Sequence, residues 1–180
     1  MHIRSDIRYA RAFFDITEQK QISKDIYLQL PRILALAKAV SECANWLDSP
    51  SLSKEKKKEI YAAVFTGTGE DVIRFIQLLI SFRRENRLLQ VFEMWVDLYR
   101  KKYGIVKADL VMAVEDETLV SLVQSAVAAR TGKQVEMDVS HDKSIVGGFV
   151  LNVDGLVSDH SVAGRIGRIR RGLVGSGGGK

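Results

Sequence analysis

The strongest structural signal in the chain is the stretch VIRFIQLLISF, residues 72–82. Every position in it is apolar except Arg74, Gln77 and Ser81. A helix with so little polar surface is normally surrounded by other helices, because its apolar side chains avoid water. We therefore predict a helix over Val72–Phe82 that runs through the middle of a helical bundle.

Two helices are predicted before this stretch. From Arg4 to Lys20, apolar residues recur at three-to-four spacing among charged ones, which indicates an amphipathic helix. A second apolar-periodic run begins near Ser23, a candidate N-cap. Pro31 falls inside this run and cannot donate a backbone hydrogen bond, so we expect it to kink or restart the helix.

Three further helices complete the predicted bundle. Glu42–Leu47 is a short candidate, and Ser53 is positioned to cap a charged helix, Lys54–Phe65. The helical period returns in Leu88–Tyr103, and Gly104 is placed to end that helix in a left-handed conformation. Six helices are therefore expected before the pattern changes.

After Gly104 the sequence alternates between strand and helix signals. Branched residues predict a strand over Ile105–Val114, and a helix over Thr118–Ala129, closed by Gly132, follows. Further strands are predicted around Val135–Val139, at Phe149–Val153 and at Leu156–Ser158, the last two joined by a tight Asp154-Gly155 turn, before a final helix capped by Ser161. The expected fold class is α+β: an N-terminal six-helix bundle in residues 1–104, a small C-terminal α+β domain in residues 105–174, and a flexible glycine-rich tail, native or added, in residues 175–180.

Charge is unevenly distributed along the chain. The net charge is +5, but residues 1–104 carry 18 basic and 13 acidic groups, residues 105–160 carry 4 and 9, and residues 161–180 carry 5 and none. Such segregation suits docking to several protein partners and suits nucleic acid as well. We expect no membrane-spanning helix and no signal peptide, and the single cysteine, Cys43, cannot form an internal disulfide, which favours a reducing compartment.

Enzymatic chemistry has few candidates in the sequence. There are 3 histidines. His141 and His160 lie near serines and aspartates, but no strained G-x-S-x-G turn is present. Gly147-Gly148 lacks the lysine and serine or threonine of a phosphate-binding loop, so we interpret it as a bulge or a close backbone approach. We predict no catalytic, cofactor-binding or metal-binding residues and no cofactor.

Nucleic-acid binding is the alternative function. Gly164-Arg165-Ile166-Gly167 resembles the G-x-x-G loop of KH domains, and further arginines follow at positions 168, 170 and 171. The tetrapeptide lies within a helical apolar pattern, however, and the acidic middle segment argues against one contiguous basic surface. We therefore expect no nucleic-acid partner.

Several motifs, in order along nearly the whole chain, are similar to those of one family. They are Tyr9-Ala10-Arg11-Ala12-Phe13-Phe14, Leu47-Asp48-Ser49-Pro50, Phe75-Ile76-Gln77-Leu78-Leu79 with Glu85-Asn86-Arg87-Leu88, and most specifically Ser144-Ile145-Val146-Gly147-Gly148-Phe149-Val150 with Val157-Ser158-Asp159-His160-Ser161-Val162. The chain thereby resembles the ATP synthase delta and oligomycin-sensitivity-conferring protein family. Two departures concern its C-terminal contacts: Val111-Met112-Ala113-Val114 replaces the usual Ser-Ala pair, and His160 stands where glycine is common.

The resemblance implies a non-catalytic stator subunit of an F-type proton-translocating ATP synthase. It implies that the N-terminal bundle grips N-terminal segments of the head's alpha subunits and that the C-terminal part holds the b-type peripheral stalk. It also implies a peripheral location at the cytoplasmic face of the bacterial inner membrane, without direct membrane insertion.

The partner-binding residues expected from this reading lie on three helices. In the N-terminal bundle they are Ile7, Arg11, Phe14 and Ile76, of which Ile7 and Ile76 are expected to be partly exposed. On the last helix they are the basic residues Arg165, Arg168 and Arg171, with Arg170 beside them, which suit an acidic stretch of the stalk. Structural roles are assigned to Asn86, Arg87, Gly104, Gly147, Gly148, Asp159 and Ser161.

Overall fold

A computed structural model of the chain describes the backbone of residues 3–43 and 52–175 and the side chains of residues 6–43 and 52–171. The chain divides into two compact units, Met1–Arg100 and Lys101–Lys180. The first unit is helical and the second combines helices with a sheet. Over the described residues, the predicted α+β fold class is confirmed.

Five α-helices are described in the N-terminal part. They are α1 (Ile3–Gln19), α2 (Ser23–Glu42), α3 (Lys54–Val64), α4 (Glu70–Ser81) and α5 (Leu88–Tyr103), with a 3-10 turn at Glu85–Arg87 before α5. The short helix predicted at Glu42–Leu47 falls mostly in residues 44–51, outside the described residues. The six-helix count therefore stays a prediction.

Aromatic residues form the centre of the helical unit. Phe13 of α1 stacks on Phe75 of α4 with ring centroids 4.1 Å apart, and its edge meets Phe92 of α5 at 6.1 Å. Trp95 is fully buried and lies 6.0 Å from Phe14. Rings of this size bury a large apolar area, so these residues form a major part of the core.

Two features of α2 differ from the sequence-based expectation. The helix runs without a restart through Pro31, which is exposed, while Leu30 and Ile33 beside it are buried. Burial of this face outweighs the one backbone hydrogen bond that proline cannot donate. Ser23 is not the N-cap, because Ile22 holds that position and the Ser23 hydroxyl donates to Thr17 instead.

Helix α4 is buried on one face only, so the prediction that it runs through the middle of the bundle is wrong. Its buried side chains are Val72, Phe75, Ile76, Leu79 and Ile80. Leu78 and the following Phe82 are 46% and 59% exposed. The sequence shows that both are apolar, but only the packing shows that they remain largely open to solvent.

The second unit is a four-stranded sheet with one helix on a face and one helix at the end of the chain. Its elements are β1 (Ile105–Met112), α6 (Glu117–Thr131), β2 (Gln134–His141), β3 (Phe149–Val153), β4 (Leu156–Asp159) and α7 (Val162–Gly175), and the strand order is β2-β1-β3-β4. Strands β1 and β2 are parallel because α6 carries the chain back between them, whereas the β1–β3 and β3–β4 pairs are antiparallel.

The core of this unit lies between the sheet and α6. Residues of β1 alternate between half-buried and buried, and Ala108, Leu110 and Met112 pack with Val123 and Val127 of α6. The predicted turns are confirmed: Gly104 and Gly132 have φ values of +62° and +66° where α5 and α6 end. Asp154 and Gly155 also have positive φ and form the β3–β4 hairpin turn, as expected.

Candidate partner-binding surfaces

Helices α1 and α4 lie side by side and run in opposite directions. Three contacts fix this arrangement: Tyr9 with Phe82 at 6.4 Å between ring centroids, Phe13 with Phe75 at 4.1 Å, and an ion pair between Lys20 and Asp71. As residue numbers rise along α1, those of the partners on α4 fall. The two helices therefore present one joint outer surface.

Several exposed apolar side chains lie on these two helices. Ile7 and Ile16 of α1 are 40% and 46% exposed, and Leu78 and Phe82 are similarly open to solvent. Scattered exposed apolar residues are ordinary, but several on two adjacent helices suggest a contact surface. At about 100° per residue, Ile16 lies on the flank of α1 that faces α4, whereas Ile7 lies on the opposite flank. We call Ile16, Leu78 and Phe82 the α1–α4 surface.

The residues of the bundle that the sequence predicts to bind partners differ in their exposure. Ile7 is partly exposed as expected, and Arg11 is exposed. Phe14 is 9% exposed and packs on Trp95. Ile76 is only 1% exposed, so the expectation that it is partly exposed is wrong: it lies on the same buried face of α4 as Val72 and Leu79. Leu78 and Leu79 both lie about one helical turn after the buried Phe75, so helical periodicity alone does not identify Leu78 as the exposed residue.

Arg87 links the turn before α5 to the first helix. Its Nε and Nη2 donate to Asp6 Oδ2 at 3.1 and 2.8 Å, and Asp6 is 1% exposed. A buried carboxylate requires such a partner, because an unpaired charge in a protein interior is costly. Asn86 is exposed in the same 3-10 turn.

In the second unit the two most specific sequence motifs meet in space. The Val162 amide donates to the Gly147 carbonyl at 2.9 Å, and the His160 amide donates to the Phe149 carbonyl at 2.9 Å. Gly148 has φ +74°, and a Cβ there would overlap the carbonyl oxygen of His160. The interpretation of Gly147-Gly148 as a close backbone approach is consistent with this packing.

Asp159 and Ser161 form the start of α7. Asp159 Oδ1 accepts from the Ser161 hydroxyl at 2.6 Å and from its amide at 2.9 Å, while Ser161 Oγ accepts from the Gly164 amide at 2.9 Å. The predicted Ser161 cap is confirmed. The hydrogen bonds from Ser161, with a smaller contribution from Arg168, hold the pKa of Asp159 below its usual range.

The arginines of α7 are all exposed but have different contacts. Arg168 reaches back to Asp159, with Nη1 3.4 Å from Oδ2 and Nη2 3.3 Å from the carbonyl oxygen. Arg171 Nε donates to the Gly167 carbonyl at 3.3 Å within the helix. Among the described side chains, none forms an ion pair with Arg165 or Arg170. These two are therefore the arginines best placed to meet an acidic partner, and Arg168 also stabilises the fold.

The geometry offers little support for the two alternative functions, catalysis and nucleic-acid binding. Gly164–Gly167 lies inside α7, so it does not form the loop that a KH domain uses. His160 Nε2 lies 2.8 Å from Ser158 Oγ, but both side chains are exposed and the Asp159 carboxylate is bonded to Ser161. The cleft near His141 contains Asp116, whose carboxylate accepts from the Leu119 amide to cap α6.

Within residues 3–43 and 52–175, no helix has the length and apolar character needed to cross a membrane. Over the same part of the chain, no cluster of three or more His, Cys, Asp or Glu side chains has a geometry suited to a metal ion. The features that stand out in the described residues are thus an apolar surface on a helix pair and an arginine-bearing helix. They define a two-unit α+β protein with a candidate contact surface in each unit.

Comparisons with known proteins all point to the same family. The family model of the ATP synthase delta (OSCP) subunit matches residues 6–173. The delta subunit of Desulfitobacterium hafniense is 30% identical over 168 residues, covering 92% of this chain and 94% of that protein. The sodium ion specific delta subunit of Propionigenium modestum is 27% identical over 166 residues, covering 91% and 95%.

A solved structure shares the fold. A chain of the mitochondrial ATP synthase hexamer of Toxoplasma gondii superposes with a TM-score of 0.68 at 23% identity, covering 94% of this chain and 97% of that one. The chain belongs to the ATP synthase delta (OSCP) subunit family. This is a family of non-catalytic subunits of the F-type ATP synthase, so the chain is not expected to be an enzyme by itself.

Proposed function

We propose that this chain is the stator link of an F-type proton-translocating ATP synthase, joining the catalytic head to the peripheral b-type stalk. The observation that carries the proposal is the presence of two separate candidate contact surfaces, one in each compact unit. A link between two partners needs two such surfaces, whereas an enzyme or a nucleic-acid binder needs one. The proposed domains are residues 1–104 and 105–174.

The α1–α4 surface is the proposed site for N-terminal segments of the alpha subunits. Ile16, Leu78 and Phe82 offer apolar anchors on two antiparallel helices. Ile7 and Arg11 are exposed on the other flank of α1 and are proposed as additional contacts. A partner segment that forms an amphipathic helix could bury its apolar face here. Phe14 and Ile76 are buried on these helices and belong to the core, so they are not proposed as direct contacts.

The last helix is the proposed site for the stalk. Arg165, Arg168, Arg170 and Arg171 give α7 a basic character that suits acidic residues on a b-type subunit. Arg165 and Arg170 carry most of this role, since Arg168 is engaged with Asp159. Complementary charge would also speed association and fix the register of the two helices.

A stator link must withstand torque while the rotor turns. An interface with buried apolar anchors is held more firmly than one made of a few polar contacts, so helix-on-helix binding suits this role. We further propose that the protein is held at the cytoplasmic face of the bacterial inner membrane through its partners, without direct membrane insertion. Rotation of the central rotor would then be coupled to ATP synthesis.

The experiment that tests the link is reconstitution. A head preparation lacking this subunit is mixed with the soluble part of the b-type stalk, with and without the purified chain, and particle masses are measured by mass photometry. We expect a joint head–stalk particle only when the chain is added. Equal joint particles in its absence would contradict the link, and so would a failure to form any joint particle in its presence.

A further inference from the structure

Helix α7 exposes apolar side chains to solvent, whereas a surface helix normally exposes its polar face. Its apolar residues Val162, Ile166 and Ile169 are 42%, 58% and 58% exposed. The residues nearer the unit are small, Ala163, Gly164 and Gly167, and all three are half-buried. A surface helix usually packs its apolar stripe on the core, so this arrangement leaves the stripe available to a partner.

Contacts of Asp159 prevent α7 from rotating to bury its apolar face instead of its glycine-bearing face. The Asp159 carboxylate occupies the space beside Gly164, where a Cβ would overlap it. The same carboxylate accepts from Ser161 and pairs with Arg168. These contacts hold the helix with its glycine face inward, and the stripe is exposed as a consequence.

A strained turn beside the first residue of α7 carries another exposed apolar side chain. Val146 has φ +66° and ψ −41°, and the Gly147 amide donates to the Ile145 carbonyl at 2.8 Å across it. This is the γ-turn with positive φ, which is rare and costly for a β-branched residue. The next residue, Gly147, is bonded to the first turn of α7, and a Cβ on it would lie 3.1 Å from Val162.

Glycine at position 146 would form the same turn without the strain. The chain nevertheless holds valine there, and the side chain is 69% exposed, so it contributes little to the core. Strain of this kind is commonly retained where it serves binding. Packing in the core therefore does not account for valine at this position.

We propose that Val146, Val162, Ile166 and Ile169 form one apolar seam that receives a partner helix, and that Val146 is its strained anchor. The inference rests on the proposed function, because it specifies how the stalk is held. With about 3.6 residues per turn, Arg165 and Arg170 lie on either side of the seam and Arg171 lies opposite it. The partner helix is accordingly one with an aliphatic stripe flanked by acidic residues.

A lipid surface is the other candidate for a basic helix with exposed apolar residues. Residues 105–160 of the same unit carry 4 basic and 9 acidic groups, however. A broad anionic surface would face this acidic body as well as the seam, whereas a single helix meets only the seam and its two flanking arginines. Charge therefore favours a helix.

The test compares Val146→Gly and Ile166→Ala with Leu122→Ala, which shortens a side chain that is 65% exposed on α6. Affinity for the C-terminal segment of the cognate b-type stalk is measured by calorimetric titration, thermal unfolding is followed in parallel, and vesicles of phosphatidylcholine and phosphatidylglycerol serve as a second probe. We expect Val146→Gly to raise the unfolding temperature while weakening stalk binding about tenfold, since it relieves strain and removes an anchor. Ile166→Ala should weaken binding similarly, and Leu122→Ala should leave it unchanged.

The other possible results separate failure of the seam from failure of the stator link. Stalk binding by the parent protein that is unaffected by Val146→Gly and Ile166→Ala overturns the seam and leaves the link standing. No stalk binding by the parent protein overturns both. Loss of vesicle binding in these variants, with stalk binding intact, would assign the seam to lipid and overturn the proposal.

Discussion

Gly148 lies directly against the carbonyl oxygen of His160, and this contact joins the two most specific motifs of the sequence. The residues are 12 positions apart in the chain, and the β3–β4 hairpin brings them together. Gly148 has φ +74° and no space for a Cβ, so both its backbone and its surroundings require glycine.

Gly148→Val is therefore expected to destabilise the second unit by roughly 3 kcal/mol or more, through strain at positive φ and overlap with His160. Unfolding of the full chain is followed by hydrogen exchange, which reports the two units separately. Protection should fall in residues 105–170 and change little in α1–α5. Equal loss of protection in both units, or none in the second, would count against this account.

Gly164 and Gly167 provide a matched pair on α7. A Cβ at Gly164 would overlap the Asp159 carboxylate, whereas a Cβ at Gly167 meets nothing within 4 Å. Gly167→Ala should stabilise the protein by about 0.5–1 kcal/mol through helix propensity. Gly164→Ala should destabilise it despite the same gain in propensity. Denaturant unfolding of both variants checks this, and effects of equal sign would show that Asp159 does not pack on the helix.

Asp159 gives the stability a defined pH dependence. Its folded-state pKa lies below the ordinary value of 3.8, chiefly because Ser161 donates two hydrogen bonds to the carboxylate. The stabilisation is therefore present above about pH 4 and is lost as the pH falls through the lowered pKa. The stability difference between the parent protein and Asp159→Asn should shrink between pH 7 and pH 3. A difference that is the same at both pH values would contradict this assignment.

Asp6 and Arg87 test the value of a buried ion pair in the helical unit. Removing Arg87 leaves the Asp6 carboxylate, which is 1% exposed, without two of its donated hydrogen bonds. Arg87→Ala should cost roughly 3 kcal/mol in urea unfolding. The control is Arg74→Ala, which removes an exposed pair with Glu70 and should change stability by less than about 0.5 kcal/mol. Similar small effects for both variants would refute the structural role given to Arg87.

Local signals identified most of the secondary structure. Ser53 accepts from the Lys56 amide as an N-cap, Gly132 ends α6, and Asp154-Gly155 makes the hairpin turn. Each of these depends on a residue whose own chemistry sets the backbone, so the sequence carries the information. The signal at Pro31 misled for the opposite reason, because burial of the neighbouring apolar residues overrides a local preference.

The surfaces were harder to infer than the helices. Ile76 and Leu78 are both large and aliphatic, yet one is 1% and the other 46% exposed. Their difference depends on where α1 lies against α4, which is a tertiary relationship that composition does not encode. The same holds for α7: its helical pattern was evident, but the inward turn of its glycine face depends on Asp159. By sequence alone the four arginines of α7 also look alike, because the pairing of Arg168 with Asp159 is visible only in the structure.

The most direct test of the central claim is calorimetric titration of the protein with a synthetic N-terminal segment of the cognate alpha subunit. Saturable binding with a negative heat-capacity change is expected, because apolar area is buried on the α1–α4 surface. Phe82→Ala and Leu78→Ala should each weaken it by about tenfold, whereas Leu28→Ala, at a side chain 70% exposed on α2, should not. No binding of the segment, together with salt-sensitive binding of short duplex DNA or RNA, would contradict the account.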